Sequence, residues 1–268
     1  MGENIVSNDI RKLMLKISNR VKSAHIGSNL SCIDILYSLY FKIMNISDDK
    51  FNNRDIFILS KAHSALALYC TLYFKGLMSK ELLDSYYVND GKLPAHTDRF
   101  SSKYIEISNG SLGHGLPIAL GYAYSLKQDF SFLNSVSRNV FCLMGDGEIQ
   151  EGSVWEAAML ASKFQLSNLF VFIDYNNLQG YGRATELVEF EPIDKKWISF
   201  GWNCIVVDGH NIEDIANAVF KFKGSNRPTC VICKTIKGKG VSFMEDKLEW
   251  HYYAISDDEL QIALEELK

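Results

Sequence analysis

The chain has 268 residues, of which 47% are hydrophobic and 22% charged, and its net charge is −4. That length allows an α/β domain with a substantial core, and the mild acidity offers no basic field for nucleic acid. No apolar run approaches the ~20 residues that span a bilayer, and the start MGENIVSNDIRKL lacks the apolar stretch of an export signal.

Gly2 has the form of a myristoylation start, but Val6 stands where Ser or Thr is required. The expected location is therefore the cytoplasm. Residues 9–23 follow, a predicted helix with Ile10, Leu13, Met14 and Ile17 on one face. Ser31 to Asp34 has the spacing of a capping box and is expected to open a second helix, DILYSLYFKIM. DIFILS (55–60) predicts a short buried strand, and a helix is expected from Ala62 to Phe74. Residues 88–112, containing LPAHTDR and SNGSLGHG, have no regular period. A helix from Leu116 to Lys127 leads into a βαβ unit: strand NVFCLM (139–144), helix 152–164, strand LFVFID (169–174). NCIVVDG (203–209) and TCVICKT (229–235) add strands around the helix NIEDIANAVFKF, and Ser256 to Glu259 caps a last helix.

Strands alternating with helices predict an α/β fold, a mostly parallel sheet flanked by helices. No linker or repeat divides the chain, so residues 1–268 are expected to form a single domain, and the capped last helix reads as its natural end. Six cysteines, most inside apolar runs, read as reduced buried thiols. Cys230 and Cys233 have CxxC spacing, but residues three apart in a strand point to opposite faces, which argues against a metal or redox pair.

The chemistry gathers in CLMGDGEIQEG, 142–152, and in FIDYNN, 172–177. Asp146 follows the first strand of the βαβ unit and Asn176 follows the second. If the strands are neighbours, ~4.8 Å apart, both side chains emerge at the carboxyl edge, where open α/β sheets bind ligands. A carboxylate and an amide oxygen with a carbonyl nearby suit a hard divalent ion such as Mg²⁺, which completes its shell with water and phosphate. Gly145 and Gly147 let a diphosphate approach the backbone beside a helix start. A plain Gly-rich turn with a helix-capping Asp would explain GDG alone. The Asn pair some thirty residues on tips the balance towards the metal.

GDGEIQEGSVWEAAMLASKFQLSNLFVFIDYNN resembles the thiamine diphosphate signature, and the similarity extends along nearly the whole chain to the N-terminal segment of transketolases. KSAHIGSNLS, FILSKAHSALALY, LPAHTDR, SNGSLGHGLPIALG, KTIKGKGVSF and WHYY each resemble a segment of that family. The resemblance implies a thiamine diphosphate-binding, pyrophosphate-type fold. It implies that Asp146, Asn176 and the Leu178 carbonyl hold the metal (Mg²⁺, or Ca²⁺ or Mn²⁺). Gly147, Gly110, Ser111 and Leu112 would line the cofactor, with Asn176 beside them. His63 and His251 would approach the diphosphate or reacting carbon, and His25 and His96 the substrate oxygens. All four histidines are thereby implied to be catalytic. Glu151 would sit at a subunit interface. His114 stands where Gln is expected and its role stays open, and LPAHTDR departs from the commoner Gly-His-Pro wording. His210 is read as a cap.

The segments that carry the family's pyrimidine-activating carboxylate and most sugar-phosphate contacts have no counterpart in this sequence. The expectation is therefore a split transketolase: this chain would act with a separate C-terminal-type subunit on sugars or sugar phosphates, as a homodimeric core within a heterotetramer. The alternatives are a subunit of a deoxyxylulose-phosphate synthase-like or 2-keto acid decarboxylating enzyme, or a non-catalytic regulatory subunit.

Overall fold

A computed structural model describes residues 3–46, 53–133 and 138–268. Five strands form one sheet: β1 (Ile56–Leu59), β2 (Val140–Gly145), β3 (Leu169–Tyr175), β4 (Asn203–Asp208) and β5 (Thr229–Lys234). Their order is β1-β2-β3-β5-β4, and every pairing is parallel. The eleven α-helices among the described residues are α1 (Glu3–Val21), α2 (Ile26–Ser31), α3 (Ile33–Ser38), α4 (Ala65–Phe74), α5 (Lys80–Asp84) and α6 (Gly115–Leu133), then α7 (Gly152–Lys163), α8 (Ala184–Leu187), α9 (Ile193–Ser199), α10 (Ile212–Lys221) and α11 (Asp257–Glu266).

The strands are buried on both faces, so their sequences are apolar runs rather than alternating patterns. Alternate residues serve two cores. Phe141, Leu143, Phe172, Val231 and Cys233 pack with α1, α3, α4, α10 and α11. Val140, Cys142, Met144, Val171, Cys230 and Ile232 pack against α6, α7 and the tryptophans Trp197 and Trp202. Cys230 and Cys233 thus lie in different cores, as the strand period requires, and all six cysteines are free. No helix among the described residues is long and apolar enough to cross a membrane.

Three sequence expectations change. Ser31 does not open a helix: it closes α2, and its hydroxyl donates to the Ser28 carbonyl and to Asp174. Asp34 is drawn away from any capping role by Arg11, at 2.5 Å, and by the His210 ring, at 2.8 Å. The run predicted as one helix after Asp34 is α3 followed by a π-turn, Leu39–Ile43. His210 does not cap α10 either. Asn211 does so, accepting from the Glu213 and Asp214 N–H groups, while His210 Nε2 accepts from Ile236 N–H at 2.9 Å. The capping box at Ser256 and Glu259 is present on both sides. The short helices α5, α8 and α9 carry too few turns to show a period, and the sequence gives no sign of them.

Candidate active site

β2 and β3 are neighbours with Gly145 opposite Asp174, so Asp146 and Asn176 leave the sheet at the same carboxyl edge. Asp146 is only 4% exposed. Its oxygens accept from Gly147 N–H at 2.7 Å and Asn177 N–H at 2.5 Å. The Asn176 side-chain oxygen accepts from Leu178 N–H at 3.0 Å. Asn177 adopts a left-handed φ of 61°, which turns the chain back so that Leu178 bridges to Arg183.

These groups line a cavity of about 310 Å³ that also contains His25, Ser28, Lys61, His63, His96, Gly110, Leu112, Gly147, Gln179, His251 and Tyr252. Four histidines from four separate segments converge there. The His25 ring lies 5.5 Å from His63, 6.2 Å from His96 and 5.0 Å from His251. Asn29 fastens two of these segments: its amide donates to the His25 carbonyl at 2.8 Å and the His63 carbonyl at 3.3 Å, and its oxygen accepts from Ala67 N–H. His25 itself has φ 65° and donates its N–H to the His251 carbonyl.

Burial, reinforced by neighbouring positive or protonatable groups, keeps these rings neutral. His25 falls to about 4 and His251 to about 3, burial first in each case, then His96 and Lys237 for His25 and Lys237 for His251. His63 is lowered well below its ordinary value by burial and by Lys61, and His96 is lowered by burial. Neutral imidazoles can accept or pass protons near neutral pH.

Beneath the cavity lies a charged layer that sequence reasoning missed. Lys61 and Asp174, 1% and 0% exposed, form a buried ion pair. Asp174 also accepts from the Ser31 and Thr235 hydroxyls, both at 2.5 Å. Burial works against the Lys61 charge, but Asp174 holds its pKa above the ordinary lysine value. Lys237, also fully buried, donates to the Leu178 carbonyl and contacts His251 Nδ1, each at 3.1 Å. Burial and the Lys61 charge push it down to about 8. Glu148 collects the Ser60 hydroxyl, Gly113 N–H at 2.9 Å and Gly145 N–H at 3.3 Å, tying the glycine loop to the GDG turn. A lysine beside a candidate histidine, as in SKAHS, and one inside KGKG were the available signals.

Among the described residues no three His, Cys, Asp or Glu side chains converge on a metal position. The donor set at this edge is instead one carboxylate, one amide oxygen and one backbone carbonyl, which suits a hard cation. Asp146 makes no ion pair among the described residues and rises to about 6 through burial and the repulsion of Asp174, despite its backbone donors. A buried carboxylate without a counter-ion fits a site for a cation. Gly147 is closely packed, since a Cβ there would lie 2.9 Å from the Gln179 side chain, whereas a Cβ at Gly110 would have only His96, at 3.8 Å, within reach.

Of the sequence candidates, Asp146, Asn176, Leu178, Gly147, Gly110, Leu112 and the four histidines line this one cavity. Ser111, His114 and Glu151 are exposed and outside it. His114 Nδ1 lies 3.1 Å from the Leu112 carbonyl.

Residues 2–267 match the family described as transketolase, thiamine diphosphate binding domain. The chain is 38% identical over 260 residues to an apulose-4-phosphate transketolase subunit from Actinobacillus succinogenes, covering 96% of this chain and 92% of that protein. It is 37% identical over 265 residues to the 6-deoxy-6-sulfo-D-fructose transketolase subunit SqwG of a Clostridium strain, with 98% and 94% covered. Human transketolase is 34% identical over 250 residues, which are 91% of this chain but 38% of that one. The transketolase structure from Campylobacter jejuni superposes with a TM-score of 0.89 at 28% identity, over 100% of this chain and 43% of that one.

Proposed function

The chain belongs to the transketolase family through its thiamine diphosphate-binding domain, and on that premise we propose that it is the N-terminal-type subunit of a split transketolase. Residues 1–268 act as one cofactor-binding domain. With a separate C-terminal-type subunit, the chain moves a two-carbon ketol unit from a ketose or its phosphate to an aldose or its phosphate. The carrying observation is the contrast in coverage: the chain spans 92% of a relative named as a subunit but 38% of human transketolase.

Thiamine diphosphate, when bound, supplies the electron sink that C–C cleavage beside a carbonyl requires. Asp146, the Asn176 amide oxygen and the Leu178 carbonyl hold a divalent cation, Mg²⁺ by the hardness of the donors, with Ca²⁺ or Mn²⁺ as substitutes. Gly147, Gly110 and Leu112 lie against the cofactor, with Ser111 at the outer edge of the same loop. Lys61, which lines the cavity, and Lys237, which touches the Leu178 carbonyl and His251, would supply positive charge toward its diphosphate. His63 and His251 face the diphosphate and the reacting carbon, and His25 and His96 orient substrate hydroxyls and relay their protons. The four imidazoles favour a hydroxyl-rich sugar over keto-acid decarboxylation.

The carboxylates lining the cavity, Asp146 and Glu148, are both engaged by backbone N–H groups. The carboxylate with which this family activates the aminopyrimidine would come from the partner subunit, in a heterotetramer of two copies of each chain. The buried free thiols suit the reducing cytoplasm. The test is reconstitution. The purified chain alone should transfer no ketol unit, and its mixture with a C-terminal-type subunit should do so with thiamine diphosphate and Mg²⁺. Full activity from the chain alone would defeat the proposal.

A further inference from the structure

Beyond β5 the chain turns back through a strap, residues 235–240, which carries Lys237 to the Leu178 carbonyl and to His251 Nδ1, each at 3.1 Å. The strap is pinned on both sides of that lysine. Before it, Thr235 N–H donates to the Tyr175 carbonyl at 3.0 Å. After it, Gly238 N–H donates to the Gly27 carbonyl, also at 3.0 Å. Gly238 has φ 81°, and a Cβ there would lie 2.2 Å from the Met244 carbonyl oxygen, so only glycine fits. Ile236 stands between Thr235 and Lys237. It is 36% exposed, so side-chain packing holds it only loosely. Its N–H donates to His210 Nε2 at 2.9 Å.

That bond fixes where the His210 proton sits. A backbone N–H can only donate, so Nε2 carries a lone pair and the ring is protonated on Nδ1. Nδ1 lies 2.8 Å from an Asp34 carboxylate oxygen, and Arg11 meets the same carboxylate at 2.5 Å. Asp34 and Arg11 are buried and the His210 side chain is 14% exposed, so the row is shielded from water. Burial opposes the Asp34 charge, but His210 and Arg11 hold its pKa below the usual carboxylate value. An ionised carboxylate accepting from one ring nitrogen sets the tautomer and aims the other nitrogen. Here the aimed nitrogen meets the residue before Lys237.

Resting on the split-transketolase reading for what the cavity binds, we infer that His210 is a positioning residue for the cofactor site. Asp34 holds it as the Nδ1–H tautomer, and its Nε2 fixes the strap at Ile236 so that Lys237 reaches the Leu178 carbonyl and His251. His210 lies outside the cavity and touches neither cofactor nor substrate; it acts through the lysine.

Nitrogen NMR of the chain carrying isotope-labelled histidine tests this without cofactor or turnover. Near neutral pH the resonance lost in His210→Ala should show the Nδ1–H tautomer. The same variant should shift the His251 Nδ1 resonance, because Lys237 leaves it, and should speed hydrogen exchange at the Ile236 amide about tenfold or more. An Nε2–H or charged His210 ring would overturn the inference, as would an unmoved His251 signal or unchanged exchange. Titration of thiamine diphosphate with Mg²⁺ into the chain reconstituted with its C-terminal-type subunit separates positioning from general support. His210→Ala should weaken binding about fivefold or more, and His210→Gln, which keeps an acceptor for Ile236 N–H, should restore most of the loss. In a Lys237→Met background His210→Ala should change the affinity by less than about twofold, because its effect runs through the lysine. Equal losses in both backgrounds would mean that His210 only supports the fold. A wild type that binds no thiamine diphosphate would refute the functional reading, and the histidine resonances and exchange rates would still decide whether His210 places Lys237.

Discussion

Asp174→Asn should destabilise the chain while increasing the stabilising effect of its ligand. Asp174 is fully buried and carries the countercharge for Lys61, itself 1% exposed. The substitution keeps the size of the side chain and at least one acceptor for Ser31 or Thr235 but removes the negative charge. It leaves an ammonium buried beside Ser28, whose carbonyl at 3.1 Å is its other acceptor. Breaking one side of a buried pair costs about 3–5 kcal/mol. Unfolding entropy near 2.1 cal/mol/K per residue gives about 0.56 kcal/mol/K for 268 residues. The expected fall in Tm is therefore about 5–9 °C, read by circular dichroism or scanning calorimetry. The double variant Lys61→Met with Asp174→Leu should recover most of that loss, because an apolar replacement of a buried pair is close to neutral. Thiamine diphosphate with Mg²⁺ should raise the Tm of Asp174→Asn by more than it raises that of the wild type, since the bound anion restores a partner to Lys61. A fall of under about 2 °C, or a double variant as unstable as the single, would refute the assignment of Asp174 as the essential countercharge.

Asp146→Ala should abolish Mg²⁺-dependent binding of thiamine diphosphate in calorimetric titration, and unchanged affinity would show that the metal donors lie elsewhere. His25 sits neutral, with its pKa lowered to about 4 chiefly by burial, so between about 6.5 and 4 the unfolded chain binds the extra proton and the folded state loses stability as pH falls. His25→Asn should make the dependence of Tm on pH shallower across that window, and an unaltered slope would mean that the ring charges freely in the folded chain. Ser256→Ala removes the side chain that accepts from Glu259 N–H and should cost about 1 kcal/mol, roughly 2 °C in Tm, with no effect on cofactor affinity.

The sheet was legible because its strands are short apolar runs between periodic helices. The placing of Asp146 and Asn176 at one edge was legible because they end two of those runs. The histidines were legible only together, since a lone ring in a loop has many explanations. The short helices around 184–199 were not, because four to seven residues hold too little of a 3.6-residue period. The capping-box reading at Ser31 failed because the same residue types serve long-range polar contacts. Asp34 meets Arg11, 23 positions away, and His210, 176 positions away, and no local window contains either partner. Lys61, Asp174 and Lys237 escaped for the same reason. A lysine is read by default as exposed, and its partner across the sheet is not visible from its neighbours in sequence.

Those missed charges bear most directly on the ligand. Burying cations is unfavourable unless something answers them. Asp174 answers Lys61 directly. Lys237 is offered a carbonyl and an imidazole nitrogen, both neutral, and is pushed down to about 8 by burial and by Lys61. Asp146 and Asp174 offset this only in part, so an anion in the cavity would favour the charged form of Lys237. The opposite imbalance holds at the neighbouring strand end, where burial and the repulsion of Asp174 push Asp146 up to about 6. Asp146 lines the cavity, and Lys237 lies behind the Leu178 carbonyl and His251 that also line it, and among the described residues the two form no direct ion pair. Electrostatics of that form suit a ligand that brings both signs, a polyanion with a divalent metal. The diphosphate end of thiamine diphosphate bound through a metal has that form, which neither a bare anion nor a bare cation would supply.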